Sequence, residues 1–351
     1  MRFTSLTERP KRSAIYALAL LLAITCHPLA RADLVIDGTF GASITDLPDA
    51  STVEAGIDQA ISRIEAAIAT PITVGIDFED DTSISLGNNL TYYGDLSYSQ
   101  YLSDLKTNQV RSAEDNIALA TLPVQTDNPV DGNPDVQLTL PLLRAIGEAS
   151  LGDNSFNNGI DSTISLNLPE MNVSRTGTQN PDDYDLQAVV THEMDEVLGI
   201  GGQGSVLGSG TTGPVGSLDL FRYNAPGVRS FSQSADVSAY FSINGGSSNL
   251  VYFNQYGNNS DFGDWGNGAI PAEQDGNDSP QVQDAFGTPG ADVNLGFNEL
   301  TAFDVVGYNL TEPVPEPRNV CLFALGLLAA AIYRRRPGRL PLNCSSPRTA
   351  S

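Results

Sequence analysis

The middle of this chain has to fold without a disulfide and against its own charge. All three cysteines, Cys26, Cys321 and Cys344, lie near the ends. Residues 33–313 hold 7 of the 18 basic side chains but 40 of the 42 acidic ones, a net charge of −33. Self-repulsion of that size works against compaction, and no cross-link limits the unfolded chain. The fold therefore needs a sizeable apolar core, for which 40% hydrophobic residues supply the material, and it suits bound cations. The same charge argues against nucleic acid or an anionic membrane as partner, since both call for a basic patch.

Both ends differ from this middle. Arg2, Arg9, Lys11 and Arg12 precede an apolar run from Ala14 to Thr25, and Ala30-Arg31-Ala32 supplies small residues for a signal peptidase. The run is short for a membrane span of about 20 residues, so residues 1–32 read as a secretory signal peptide cleaved after Ala32. At the other end Val314-Pro315-Glu316-Pro317 is followed by an apolar stretch, Val320 to Tyr333, and by Arg334-Arg335-Arg336. A rigid turn, a membrane-seeking helix and a positive stop form an anchoring signal. Their order resembles the PEP-CTERM sorting tail of Gram-negative bacteria. The resemblance implies transient inner-membrane anchoring, recognition by an exosortase together with the secretion machinery, and delivery to the cell surface or extracellular matrix. The organisation expected is thus a signal peptide (1–32), one folded domain (33–313), a sorting segment (314–336) and a basic, polar tail (337–351).

Within the domain no repeat of 20–50 residues is visible, which argues against a solenoid or propeller. Ser51-Thr52-Val53-Glu54 has capping-box spacing, and Val53, Ile57, Ile61, Ile64 and Ile68 make one helical face up to about Ala69. Residues 72–78 read as a strand ended by Glu79, Asp80 and Asp81, and 162–168 alternate as a second strand. Helices are expected near 97–107, 112–120 and 298–306. Another, capped by Asp182 or Asp183, runs from Tyr184 to Leu198 and stops at Gly199, the first of eight glycines up to 216. The fold class is α+β, a single domain of helices packed on a mixed sheet.

The 184–198 helix carries the chemistry. It contains Thr191-His192-Glu193-Met194-Asp195-Glu196-Val197-Leu198-Gly199, and His192 is the one histidine outside the signal peptide. Residues four apart share a helical face, so the His192 imidazole and the Glu196 carboxylate can converge on one cation. Glu193 stands one step round, where a general base would sit. The stretch resembles the HExxHxxG signature of metzincin-like zinc metallopeptidases, with Glu196 in place of the second histidine. Segments 217–223 and 300–308 are similar to stretches of exported bacterial metallopeptidase-like proteins with such sorting tails. The resemblance implies a metal-dependent peptidase in which Glu193 activates a zinc-bound water against a peptide carbonyl.

The third ligand stays open. The usual metzincin position is occupied by Gly202, which offers no side chain, so Asp219 is the leading candidate and Gln203 and Ser205 follow. Tyr223 is a candidate oxyanion donor or a packing residue. Asn258 to Asn267, rich in oxygen side chains and glycine, reads as a turn or a separate Ca²⁺ site. One imidazole with two carboxylates would neutralise a divalent cation, weaken its activation of water and favour harder ions such as manganese or calcium beside zinc. A non-catalytic surface or matrix protein that retains a degenerate metal site is the rival reading.

Overall fold

The computed structural model describes residues 33–107, 110–202, 214–257, 260–273 and 279–311. The signal peptide, the sorting segment and tail, Gln203, Ser205, Asn258 and Asn259 lie outside the described residues. The chain divides between Leu310 and Thr311, and all described residues except Thr311 belong to the first unit.

That unit is mixed α/β with several sheets, in keeping with the α+β class. Its main sheet runs in the order β1 (Val35–Phe40), β2 (Thr73–Asp80), β6 (Ser162–Leu166), β3 (Gly87–Thr91). The first three are parallel and β3 closes one edge antiparallel to β6, with Asn89 opposite Ile164. Val74, Ile76, Phe78, Ile164 and Leu166 are fully buried in it. Between β3 and β6 the chain forms β4 (Tyr93–Ser97) and β5 (Asp135–Thr139), which pair in a smaller sheet. Among the described residues the seven α-helices are α1 (Ala42–Thr45), α2 (Ala50–Ala67), α3 (Tyr98–Thr107), α4 (Ala113–Leu119), α5 (Leu140–Ala145), α6 (Leu186–Val197) and α7 (Phe297–Val306).

Helix α2 buries the stripe read from the sequence, Val53, Ile57, Ile61 and Ile64, and packs on α6. Gly56 lets them close up: a Cβ there would meet Leu186 Cδ2 and the Val173 carbonyl at 2.9 Å. The capping box at Ser51 does not form. The turn at Leu47–Asp49 starts the helix at Ala50, which leaves Ser51 inside the first turn. Strand β2 runs on through Glu79 and Asp80, because both lie on ladder positions opposite β6.

The short strands expected beyond the glycine-rich segment pair into a five-stranded antiparallel sheet that follows α6. Its order is Val228–Arg229, Arg222–Ala225, Tyr240–Phe241, Val251–Phe253 and Trp265–Gly266. Trp265 is wholly buried, stacked on Phe241 at 5.8 Å and tilted against Phe253 at 5.3 Å. Its indole N–H donates to Glu299 Oε1 at the start of α7, so sheet and helix are tied together.

Packing of α4 on α7 buries a carboxyl group. Ser112 caps α4 through the Asp115 N–H and also donates to Asp304 Oδ2 at 2.6 Å. Burial, countered by the Ser112 hydroxyl and aided by the charges of Asp115 and Glu114, pushes the Asp304 pKa up to about 7. The folded state then holds a proton that the unfolded chain has released, so stability falls as pH rises from about 4 to about 7. In Asp304→Asn that part of the slope should disappear from denaturant melts at pH 4.5 and 7.5. An unchanged slope would remove Asp304 from the account.

Candidate metal centre

Helix α6 is fixed at both ends. Asp185, not Asp182 or Asp183, is its N-cap and accepts the Ala188 N–H at 2.9 Å. The chain is still extended up to Asp185, because Tyr184–Asp185 pairs with Met171–Asn172. Arg175 holds the same carboxylate. At the C-terminus Gly199, at φ +100°, turns the chain, and the Gly199 and Ile200 N–H groups cap the Glu196 and Asp195 carbonyls. Two further glycines with positive φ, Gly201 and Gly202, carry the backbone back under the helix.

That return brings a third carboxylate to His192 and Glu196. One ligand atom each from His192, Glu196 and Asp264 lies within 4.8 Å of the others, a group able to hold a metal ion. His192 Nε2 stands 3.2 Å from Glu196 Oε1 and 3.6 Å from Asp264 Oδ2. Each of the three has its second polar atom tied back. His192 Nδ1 is 2.9 Å from the Val282 carbonyl, so Nδ1 carries a proton and Nε2 is aimed at the carboxylates. Asp264 Oδ1 accepts the Gly202 N–H at 2.6 Å and the Gln283 amide at 2.8 Å. Glu196 Oε2 accepts from Asn89 Nδ2 on β3, which also donates to Glu193 Oε2 at 2.9 Å.

The carboxylate beside His192 and Glu196 is thus that of Asp264, where Asp219 was expected. Asp219 lies in a short 3₁₀ turn (Leu218–Phe221), buried, accepting the Gly216 N–H at 3.1 Å. Its charge supports the buried Arg222 guanidinium, whose pKa burial lowers to about 10. Arg222 in turn lies 4.2 Å over the Phe253 ring and donates to the Phe262 carbonyl, which steadies the segment leading to Asp264. Tyr223 is a packing residue, buried with Arg229 5.0 Å over its ring. Of the Asn258–Asn267 segment, Asp264 belongs to this group. Asp195 and Glu196 are not on a solvated face of the helix. Both are buried, and neither oxygen of Asp195 finds a hydrogen-bond donor.

The charges are strained by their crowding. Burial pushes the Glu193 pKa up to about 8, with Glu196 adding to it and His192 and Asn89 opposing. Glu196 is pushed up to about 7 by burial, against its hydrogen bond from His192. Burial raises Asp264 as well. For His192, burial disfavours the cation, yet Asp264, Glu196 and Glu193 outweigh it and hold the pKa well above its usual value. A divalent cation would relieve the three carboxylates at once and take the place of the proton on His192 Nε2, so the donor set fits one.

The group lies in a cleft of about 900 Å³. It is lined by residues 87–91 of β3, by Val189, His192, Glu193 and Glu196 of α6, and by residues from the 260–264 and 281–288 segments. Gly87 permits the approach of β3, since a Cβ there would sit 2.5 Å from Glu193 Oε1. Comparison with protein-family models, curated proteins and solved structures returns no match for this chain.

Elemental analysis should find one divalent ion per chain, lost in His192→Ala and Asp264→Asn and retained in Asp219→Asn. Loss from Asp219→Asn with retention in Asp264→Asn would reverse the ligand assignment. Gln283→Ala, which frees one hydrogen bond on Asp264, should weaken binding by about 10–100-fold.

Proposed function

We propose that this is an exported, metzincin-like metal-dependent peptidase domain. His192, Glu196 and Asp264 are its ligands and Glu193 is its general base. The observation that carries the proposal is the geometry of the three ligands, each with one atom anchored by the fold and one aimed at a common point in a cleft. Such anchoring is what metal ligands require and ordinary surface carboxylates lack. A bound cation would supply Lewis acidity and lower the pKa of a water in the cleft. Glu193, one residue from the ligand and held by Asn89, is placed to take that water's proton. The edge strand β3 beside the helix supports a peptide as substrate, because its outer edge can pair with an extended chain.

Zinc is the proposed ion, with manganese the competitor that two carboxylates favour. Export rests on the sequence: a basic, apolar and small-residue order at the start, a Pro-Glu-Pro, apolar and Arg order at the end, and no cysteine between. Exosortase and the secretion machinery are the partners this proposes, with the cell surface or matrix as destination. Among the described residues no helix is long and apolar enough to cross a membrane.

One observation favours a second reading, a non-catalytic surface or matrix protein. Two carboxylate ligands cancel the charge of a divalent ion, and a third carboxylate, Glu193, is hydrogen-bonded to the same Asn89 amide as Glu196. A centre so rich in negative charge activates water weakly. Turnover of casein or a peptide library separates the two. The peptidase reading expects hydrolysis that falls about 10²–10⁴-fold in Glu193→Gln, with metal content unchanged. Protein loaded with one ion that cleaves nothing would leave the non-catalytic reading.

A further inference from the structure

Asn89 is bound to the metal centre yet is not a ligand. It lies in the middle of the edge strand β3, 104 and 107 residues before the two carboxylates it touches. Its Nδ2 donates one hydrogen to Glu193 Oε2 and the other to Glu196 Oε2. Its Oδ1 accepts from the Thr91 hydroxyl at 2.5 Å, and Thr91 is in turn 2.9 Å from Ser162 Oγ on the neighbouring strand β6. This chain of contacts fixes which end of the amide faces which group. Turned over, Asn89 would set its oxygen against two carboxylates and its NH₂ toward a hydroxyl already engaged by Ser162.

The consequence concerns Glu196. With Oε2 committed to Asn89, only Oε1 remains on the His192 side. Asp264 is restricted in the same way, with Oδ1 committed to Gly202 and Gln283. Three protein groups then offer three atoms. Small ions of low coordination number, such as zinc, accept such a set and complete it with water or substrate. Calcium takes six to eight oxygens and draws on carboxylates that bind through both. Of the ties that keep the carboxylates single-toothed, that on Glu196 comes from one side chain lining the cleft, Asn89, whereas Asp264 is held by a backbone N–H as well as by Gln283.

We infer that Asn89 is a positioning residue that sets the ion selectivity of the centre, by holding Glu196 to one ligand oxygen and so favouring zinc over calcium. The inference rests on the metal-centre reading above and adds to it a reason for the ion's identity.

The test is calorimetric titration of the full-length chain, freed of metal, with zinc chloride and separately with calcium chloride. The variants are Asn89→Ala, Asn89→Asp and Thr91→Val, with circular dichroism as the check on folding. In the first two, zinc affinity should fall about 10–100-fold while calcium affinity holds or rises, so the zinc-to-calcium ratio drops by that factor. Thr91→Val leaves the amide in place but loosens it, and should move the ratio the same way by less; it serves if the Asn89 variants fail to fold. Equal losses for both ions would reduce Asn89 to a structural support, and an unchanged ratio would overturn the inference while the metal centre stands. Wild-type protein that binds neither ion would defeat the metal-centre reading itself, and this inference with it.

Discussion

Alongside the Gly263 N–H bond to the Gly202 carbonyl, the backbone N–H of Gly202 links the two halves of the centre. It donates to Asp264 Oδ1 across 62 residues of chain. The contact needs glycine on both sides. Gly202 has φ +68° and passes so near Glu196 that a Cβ would lie 2.8 Å from its carboxyl carbon, while a Cβ on Gly263 would meet the Gly202 carbonyl at 2.6 Å. Where the metzincin-like pattern expects a ligand side chain ten residues after the first histidine, this chain has a backbone donor. That donor holds the carboxylate that completes the group. The second sheet supplies the other half of the arrangement, since burial of Trp265 between Phe241 and Phe253 fixes the residue next to Asp264.

This convergence concentrates negative charge that the rest of the fold does not offset. Glu193, Glu196 and Asp264 face one imidazole, and behind them Asp195 is buried near Glu299, where burial holds its carboxyl well above the usual carboxylate range. Asp195 can meet that cost by staying protonated, because it has no ligand to bind. The three facing the cleft can meet it by binding a cation. A chain with a net charge of −33 between residues 33 and 313 has few internal bases to spare: Arg144 is committed to Asp161, Arg175 to Asp185, and Arg222 and Arg229 to backbone carbonyls. An external cation is one way to balance the centre, and it would offset the charge of all three carboxylates at one point.

Local signals were legible where periodicity and capping chemistry decide. The buried stripe of α2, the extents of α3, α4 and α7, and the halt of α6 at Gly199 follow from residue spacing. Capping choices were less so: Ser51 and Asp182 have the right chemistry, but the turn at Leu47–Asp49 and the pairing of Tyr184–Asp185 with Met171–Asn172 moved both helix starts. His192 and Glu196 were readable because a helix fixes their geometry. Asp264 stood out in the sequence only as part of an acidic, glycine-rich segment, since its partnership with His192 depends on sheet pairings between two- and three-residue strands that leave no periodic trace. Asn89 carried no signal at all, because an asparagine in an edge strand is unremarkable until the strand lies against α6. Proximity in sequence to the glycine loop points to Asp219, but its burial beside Arg222 gives it another task.

The most direct test of the account is X-ray absorption at the metal edge, or anomalous diffraction, on protein loaded with zinc. One nitrogen and two single carboxylate oxygens from the chain should be found at about 2.0–2.2 Å, identified as His192 Nε2, Glu196 Oε1 and Asp264 Oδ2. A zinc ion bound away from the cleft, or one coordinated by Asp219 in place of Asp264, would contradict it.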